Sequence, residues 1–222
     1  MNNKMKNKNL IKFIIFFSIS VIFTILVKFI DVKSVGINHV QIGFSTLNTW
    51  FRGLLYTGNQ YSKVLYKLTK YIGYLPILSC LAYGLIGLLE LIKGKSTKKV
   101  DKRIIILGIF YVVVVLTYVL FEKIIINYRP VIIDVKEGLE ASYPSSHTLL
   151  AICLVMSSII INKLKYNNKY TKIINPISYC LLVFIVIGRL FSGVHWLTDI
   201  IGGVLISCTL IYLLKFALRL EE

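Results

Sequence analysis

Six apolar runs constrain this chain more than any other feature. Several are long enough to cross a hydrocarbon core of about 30 Å, which takes roughly 20 residues of helix. Because hydrocarbon offers the backbone no partner, such runs must satisfy their own N–H and C=O groups as helices. The chain has 222 residues, 56% of them apolar, and a mean hydropathy of +0.75. These values predict an all-α fold, a polytopic membrane helical bundle with six transmembrane helices. The predicted spans are 13–27, 71–92, 104–121, 145–161, 173–187 and 196–214.

The formal net charge of +16 would suggest a nucleic-acid partner in a soluble protein. Here the lysines and arginines fall in short blocks between apolar runs, as the positive-inside rule expects of cytoplasmic loops. The blocks 93–103 and 163–172, with Lys215 and Arg219, predict that both termini are cytoplasmic. A membrane topology accounts for the charge, so no nucleic-acid partner is predicted. The Ile-, Lys- and Asn-rich composition indicates a bacterial source, hence a multi-pass protein of a bacterial cell membrane.

The segment before the second span carries a different signal. Apolar residues recur at helical spacing in 44–55 and again in 61–68. This pattern predicts two interfacial helices between the first and second spans. Lys63, Lys67 and Lys70 recur at the same period on another face of the second of these helices. That face either contacts anionic headgroups or a lipid phosphate, or is simply solvated.

Polar residues gather at three places in a chain predicted to be a single integral membrane domain, 1–222, with its core motifs within 104–214. The three clusters are Lys123 with Arg129, Ser145 with Ser146 and His147, and Arg189 with His195 and Asp199. The predicted topology puts all three at outer, extracytoplasmic helix ends. Ionisable groups at membrane depth are costly unless they are paired or functional. We therefore expect the three clusters to form one site.

The residue types in these clusters are suited to binding and transferring a phosphate. The segment from Pro144 to His147 predicts a helix start, whose first N–H groups and positive dipole end favour an anion. Arg129 and Arg189 add planar guanidinium groups that match phosphate oxygens. Two histidines beside such a site indicate that one attacks phosphorus while the other protonates the departing oxygen.

His195 and Asp199 are four residues apart. On a helix this spacing places both side chains on one face, so the carboxylate would orient the imidazole for nucleophilic attack. Taken singly, each feature is more often structural: Pro-Ser-Ser before a helix is usually a cap, and a His and Asp at this spacing often form only a hydrogen-bonded pair. The conjunction of all three clusters at one membrane face favours a catalytic site.

These clusters resemble three ordered motifs of the type-2 phosphatidic acid phosphatase superfamily. Its members are membrane lipid phosphatases that share a fold with soluble acid phosphatases and vanadium haloperoxidases. The family's motifs are Lys, six residues and Arg-Pro; then Pro-Ser-Gly-His; then Ser-Arg, five residues, His, three residues and Asp. Here they correspond to Lys123 with Arg129-Pro130, to 144–147 and to 188–199, and the resemblance covers roughly residues 104–214.

The resemblance implies a role for each residue of the clusters. In the family the third-motif histidine is the nucleophile, so His195 would form a phosphohistidine, oriented by Asp199. His147 would be the general acid and would later assist the water that hydrolyses the intermediate. The phosphate-binding residues would be Lys123, Arg129, Ser145, Ser146 and Arg189. No cofactor and no metal are implied, and the sequence offers no carboxylate cluster of the kind that magnesium needs.

Three positions depart from the family's pattern. Lys123 lies one residue closer to Arg129 than the family's lysine does, which on a regular helix would put Glu122 in the lysine's place. We expect the chain before Arg129 not to be regular helix, and Lys123 to reach the phosphate. Ser146 replaces the glycine of the second motif, and Gly188 replaces the serine of the third. These changes predict reduced or altered specificity.

Residues and resemblance together predict a membrane lipid phosphatase that acts on a phosphomonoester or pyrophosphate at the outer membrane–water interface. Undecaprenyl diphosphate, phosphatidylglycerol phosphate and phosphatidic acid are the candidate substrates, and the outward-facing site favours recycling of a lipid carrier. One alternative is phosphotransfer to another lipid or a sugar. Another is a non-catalytic phospholipid-binding or transport protein. Six spans suit a lipid substrate better than the soluble halide chemistry of a haloperoxidase.

Overall fold

Helices make up nearly all the regular structure of the computed structural model, which describes residues 2–35, 39–58 and 60–220. In these ranges the helices are α1 (Asn2–Phe29), α2 (Ser45–Gly53), α3 (Lys63–Ile72), α4 (Tyr74–Gly94), α5 (Lys102–Lys123), α6 (Ser146–Ile161), α7 (Lys169–Ser192) and α8 (Leu197–Ala217). A 3₁₀ turn, Thr97–Lys99, and a π-helical turn, Asn162–Tyr166, lie in the connections. The predicted all-α fold is confirmed.

Six helical segments in the described ranges are long and apolar enough to cross a membrane. They are Lys8–Phe29, Lys63–Gly94, Lys102–Lys123, Ser146–Tyr166, Lys169–Ser192 and Leu197–Ala217. Large apolar side chains stay exposed along their outer faces; Leu81 and Leu116, for example, are 63% and 62% exposed. Soluble proteins rarely expose such continuous apolar surface, whereas lipid tails cover it readily. The six predicted spans are confirmed, and the chain is a multi-pass membrane protein.

Helices α6 and α8 form the centre of the bundle. In their most apolar stretches 61% and 50% of the residues are buried, against 11% in α1. Gly203 lets them approach closely, since a Cβ built on it would lie 3.1 Å from Thr148 Cβ, and Gly202 packs directly on the ring of Tyr143, just before α6. Small residues at a helix interface permit this separation. The chain segments that begin α6 and α8 are therefore held side by side.

The segment between the first two spans differs from its prediction in two ways. A short antiparallel hairpin of β1 (Lys33–Val35) and β2 (Val40–Ile42) precedes α2. Three-residue strands are too short to show a period-2 pattern, so they were missed. Of the two interfacial helices, α2 is separate, whereas α3 is joined to α4 through Gly73 alone. The second helix thus extends the second span as one nearly continuous segment, Lys63–Gly94.

The two ends of the bundle differ in their chemistry. At one end Lys165 forms ion pairs with Glu90 and Asp101, at 2.5 and 3.2 Å. There, too, Asn9 Nδ2 donates to the Leu220 carbonyl at 2.8 Å, so α1 starts beside the segment that follows α8. At the opposite end α5 and α7 finish and α6 and α8 begin. The predicted site residues lie at this second end.

Candidate active site

His195 and Asp199 lie where the chain turns from α7 into α8. Gly193 ends α7 with a φ of +76°, a left-handed conformation that glycine adopts without strain. Helix α8 begins only at Leu197, so His195 precedes the helix. The prediction that His195 and Asp199 stack on one helical face is wrong. His195 Nδ1 lies 3.7 Å from Asp199 Oδ2, which is longer than a normal hydrogen bond.

Ser142 bridges this pair. Its hydroxyl donates to Asp199 Oδ2, and its Oγ lies 3.2 Å from His195 Nδ1. With the imidazole proton on Nδ1, His195 donates to Ser142 and keeps the Nε2 lone pair free. Asp199 Oδ2 also accepts the Trp196 N–H at 2.8 Å, which fixes the carboxylate at the start of α8. The orientation predicted for a direct pair is thus achieved through a third side chain.

His195 is held in the form that a nucleophile requires. Its side chain is buried, and Nε2 has no hydrogen-bond partner among the described residues. Burial is the main cause that lowers the pKa of His195 well below its ordinary value, and the charges of Arg129 and Arg189 act in the same direction. At neutral pH the imidazole is uncharged, with its Nε2 lone pair available for attack on phosphorus.

His147 lies in the same cluster of charges. It is the second residue of α6, and its Nδ1 is buried without a hydrogen-bond partner in the described part of the chain. A Cβ built on Gly73 would lie 3.6 Å from His147 Cδ2, so the end of α3 covers one side of the ring. The charged groups that act on the imidazole are Arg189, Arg129 and Lys70. The two predicted catalytic histidines therefore share a cationic environment.

Arg189 is the least satisfied polar group of the site. It is fully buried, and none of its three guanidinium nitrogens has a hydrogen-bond partner within the described ranges. Its Cζ stands 5.0 Å from the centre of the Tyr66 ring, a cation–π contact with α3. A buried charge without a partner is strongly destabilising. An anionic ligand with several acceptor oxygens would satisfy this guanidinium, as the sequence predicted.

The Arg129 guanidinium already has two partners within the protein. Its Nη2 pairs with Glu140 Oε2 at 3.0 Å, and its Nε donates to the Ala141 carbonyl at 3.5 Å. The chain around Arg129 is held by a β-bridge between Tyr128 and Ala141. Glu140 thus orients the guanidinium from one side, and a phosphate would have to share Arg129 with this carboxylate.

The residues of the second motif have two roles: Ser145 is structural, and the residues after it offer backbone N–H donors. Ser145 is fully buried; its N–H donates to the Asp199 carbonyl at 3.0 Å, and its Oγ accepts from Thr148 at 3.1 Å. Helix α6 begins one residue later, at Ser146. The N–H groups of its first turn lie outside the helical hydrogen-bond ladder and point toward the start of the helix. Those of Ser146 and His147 are therefore the donors offered to an anion, while the N–H of Ser145 is occupied.

Lys123 is the predicted residue that the structure does not bring to the cluster. It is the last residue of α5, and the chain from there to Arg129 is not helical, as expected. Its side chain, however, is exposed, and it is absent from the charges that act on His147. Glu122, next to it, lines a small pocket together with Ser146. Both Glu122 and Lys123 are exposed, and only Glu122 shares a pocket with a residue of the second motif.

The structure collects His195, His147, Asp199, Arg129, Arg189 and the first turn of α6. In the described ranges no group of three or more His, Cys, Asp and Glu side chains is arranged to hold a metal ion. Three contacts of the site were not predicted: those of Ser142, Glu140 and Tyr66. The concentration of polar residues just before the second motif was a signal for the first two, whereas nothing in the spacing distinguishes Tyr66 from neighbouring aromatic residues.

Replacing Ser142 tests the bridge. We expect Ser142→Ala to lower kcat roughly 10- to 100-fold with little change in KM, because the imidazole loses its orientation while the phosphate contacts remain. Steady-state kinetics on the purified protein would measure the change. Ser157→Ala is the matched control, since this buried hydroxyl donates to the Tyr111 hydroxyl and the Leu154 carbonyl inside the bundle. An unchanged kcat in Ser142→Ala would contradict the bridging role.

Comparison with known proteins agrees with this geometry. A model described as the PAP2 superfamily matches residues 39–219. Phosphatidylglycerophosphatase B of Bacillus subtilis (strain 168) is 32% identical over 76 residues, which make up 33% of this chain and 37% of that protein. The match thus spans little more than a third of the relative's length. A crystal structure described as the first transmembrane PAP2 type phosphatidylglycerolphosphate phosphatase, from Bacillus subtilis, aligns with a TM-score of 0.55 and 20% identity over 92% of this chain and 94% of that one. It shows the same fold.

Proposed function

The chain belongs to the PAP2 superfamily, and we propose that it is a membrane lipid phosphatase that hydrolyses a phosphomonoester or pyrophosphate without a metal. The observation that carries the proposal is the fully buried Arg189, whose guanidinium nitrogens have no hydrogen-bond partner among the described residues and whose charge acts on the buried His195 and the half-buried His147. Such an arrangement would stabilise a bound phosphate, and it supports His195 as the nucleophile and His147 as the acid. A structural role would leave the guanidinium paired.

The reaction proceeds in two displacements. His195 Nε2 attacks phosphorus, an N–P bond forms, and the bond from phosphorus to the leaving oxygen breaks. The bound phosphate offsets the surrounding positive charge and so allows His147 to carry a proton, which His147 gives to that oxygen, while the Ser142–Asp199 bridge stabilises the positive charge that develops on the His195 ring. Water then attacks phosphorus and loses a proton to His147, and the N–P bond breaks. Arg189, Arg129 and the first N–H groups of α6 bind the equatorial oxygens throughout.

The site is proposed to face the extracytoplasmic side of a bacterial cell membrane, with both termini cytoplasmic. The basic connections that contain Lys95, Lys98 and Lys165 lie at the end of the bundle away from the site, which supports this orientation. The phosphorylated headgroup of the substrate would enter the site at the membrane–water interface while its tail stays in the bilayer. The whole chain, 1–222, is proposed to act as one domain.

The substrate is proposed to be a lipid phosphate with a terminal phosphoryl group. Undecaprenyl diphosphate, phosphatidylglycerol phosphate and phosphatidic acid all present such a group. The similarity to phosphatidylglycerophosphatase B supports phosphatidylglycerol phosphate, whereas an outward-facing site supports undecaprenyl diphosphate. Hydrolysis of either of these two lipids would release inorganic phosphate.

A lipid panel tests the proposal. Purified protein in detergent is expected to release inorganic phosphate from at least one of these three lipids, and to do so equally well in EDTA, because the reaction needs no metal. Soluble sugar phosphates serve as the control for lipid dependence. Loss of turnover in EDTA, restored by a divalent cation, would contradict the metal-free mechanism. Tight binding of all three lipids with no phosphate release would instead indicate a binding protein, and a phosphorylated acceptor in place of free phosphate would indicate a phosphotransferase.

A further inference from the structure

One face of α3 covers the site. Tyr66, Thr69, Lys70 and Gly73 follow one another at the i, i+3, i+4 and i+7 spacing that places side chains on one helical face. Three of them contact site elements. Tyr66 lies under the Arg189 guanidinium at 5.0 Å, Thr69 packs on α7, and Gly73 lies against the ring of His147. Lys70 occupies the fourth position of a face whose other three members all touch the site.

A departure from the family's third motif allows this close packing. A Cβ built on Gly188 would lie only 2.5 Å from Thr69 Cγ2, a separation that real Cβ atoms essentially never show. The family's serine at this position would therefore push α3 away from α7. The contact is reinforced where α3 begins, since the Ser62 N–H donates to the Ser192 carbonyl at 2.9 Å. Gly188 therefore lacks the hydroxyl contact that a serine could make, but it allows α3 to pack closely against α7.

Lys70 differs from the other lysines of α3. It is half-buried, whereas Lys63 and Lys67 are exposed. Its charge acts on the His147 imidazole together with those of Arg189 and Arg129. The sequence predicts that these lysines are either solvated or in contact with a phosphate. Lys63 and Lys67 are solvated, whereas the position of Lys70 suits contact with a phosphate.

The site also lacks the cation that the family's first motif supplies. Lys123 is exposed, and the pocket beside Ser146 is lined by Glu122 instead. Arg129 shares its charge with Glu140. A phosphomonoester carries up to two negative charges, so Arg189 alone would leave much of this charge uncompensated. We propose that Lys70 binds the substrate phosphate and replaces the first-motif lysine, supplied from α3 instead of α5. This inference rests on the proposed function.

The geometry assigns separate tasks to the two side chains of this helical face. The Tyr66 ring supports the Arg189 guanidinium through a cation–π contact at 5.0 Å, which uses no N–H group and so leaves these donors for the phosphate. Lys70, an ammonium on a flexible stem, binds an oxygen as a point charge. The site would therefore select a terminal phosphoryl group, which offers three oxygens, over a phosphodiester, which offers two.

Two lysine variants on one helix test the inference. We expect Lys70→Ala to lower kcat/KM for the best lipid substrate roughly 10- to 100-fold, because a charge-assisted hydrogen bond is lost. Lys67→Ala, the matched control one turn earlier, should stay within about twofold of wild type, as expected of an exposed lysine. Lys70→Arg, which keeps the charge, should retain most of the activity. A Lys70→Ala variant with wild-type kcat/KM would overturn the inference.

A second measurement separates this inference from the proposed function. Inorganic phosphate should raise the unfolding temperature of the wild-type protein, because ligand binding stabilises the folded state. The shift should be retained in Lys67→Ala and be at least halved in Lys70→Ala. Suppose that no lipid is turned over, but the rise in unfolding temperature caused by phosphate still depends on Lys70. The phosphatase proposal then fails, and Lys70 is nevertheless an anion ligand. If turnover is present and both variants keep the full shift, Lys70 is not a phosphate ligand.

Discussion

His195→Ala is expected to abolish phosphate release, with kcat lower by at least about 10⁴-fold, because no N–P bond can form without the imidazole. The measurement is phosphate release from whichever lipid the wild-type protein turns over fastest. A lipid carrying radioactive phosphate should also label the wild-type protein with an acid-labile, alkali-stable phosphoryl group, the stability pattern of phosphohistidine. That label should be absent from the variant.

The chain offers a matched control for this experiment. His39 is exposed and is assigned no role, so His39→Ala should keep both the rate and the label. Wild-type turnover by His195→Ala would rule out the proposed nucleophile. Loss of turnover with the label retained would place the phosphoenzyme on another residue, with His147 the first candidate.

Arg189→Leu is expected to separate activity from stability. Loss of the guanidinium should lower kcat/KM by about 10³-fold or more, the scale of a transition-state arginine in phosphoryl transfer. The same change should leave the ligand-free protein as stable as wild type or more so, because it removes a buried charge that has no hydrogen-bond partner among the described residues. The measurements are kinetics on the lipid substrate and the unfolding temperature without phosphate.

Arg103→Leu is the comparison for Arg189→Leu. Arg103 lies near the start of α5, at the end of the bundle away from the site, and donates to the Leu164 carbonyl. Its replacement should leave kcat/KM within about twofold and, unlike Arg189→Leu, should not raise stability. If Arg189→Leu kept activity within tenfold of wild type, or unfolded at a clearly lower temperature without phosphate, Arg189 would be a structural residue.

The spans were predictable because bilayer thickness fixes the length of an apolar helix. The hairpin and the junction at Gly73 were not, for different reasons. Strands of three residues have no readable period, and a helix that continues after one glycine cannot be distinguished from two helices by apolar spacing alone. Helix α1 begins earlier than the predicted first span, at Asn2, because the helix extends into polar residues that periodicity does not mark.

The site was predictable where chemistry follows local spacing. His147 and Arg189 were identified because ionisable residues in an otherwise apolar stretch are costly and therefore conspicuous. The position of Lys123 was not predictable, since one residue of shift turns a side chain by about 100° and the chain leaves the helix at that point. Spacing placed Lys70 on one face with Lys63 and Lys67 but did not distinguish it from them, because its partial burial depends on how α3 packs against α7.

Asp199 joins several of these segments at once. Its Oδ2 accepts from Ser142 and from the Trp196 N–H, while its carbonyl accepts from the Ser145 N–H. The junction of the second and third motifs and the orientation of the proposed nucleophile therefore depend on one residue, through its side chain and its own backbone, so an inactive Asp199 variant would report on both without distinguishing them.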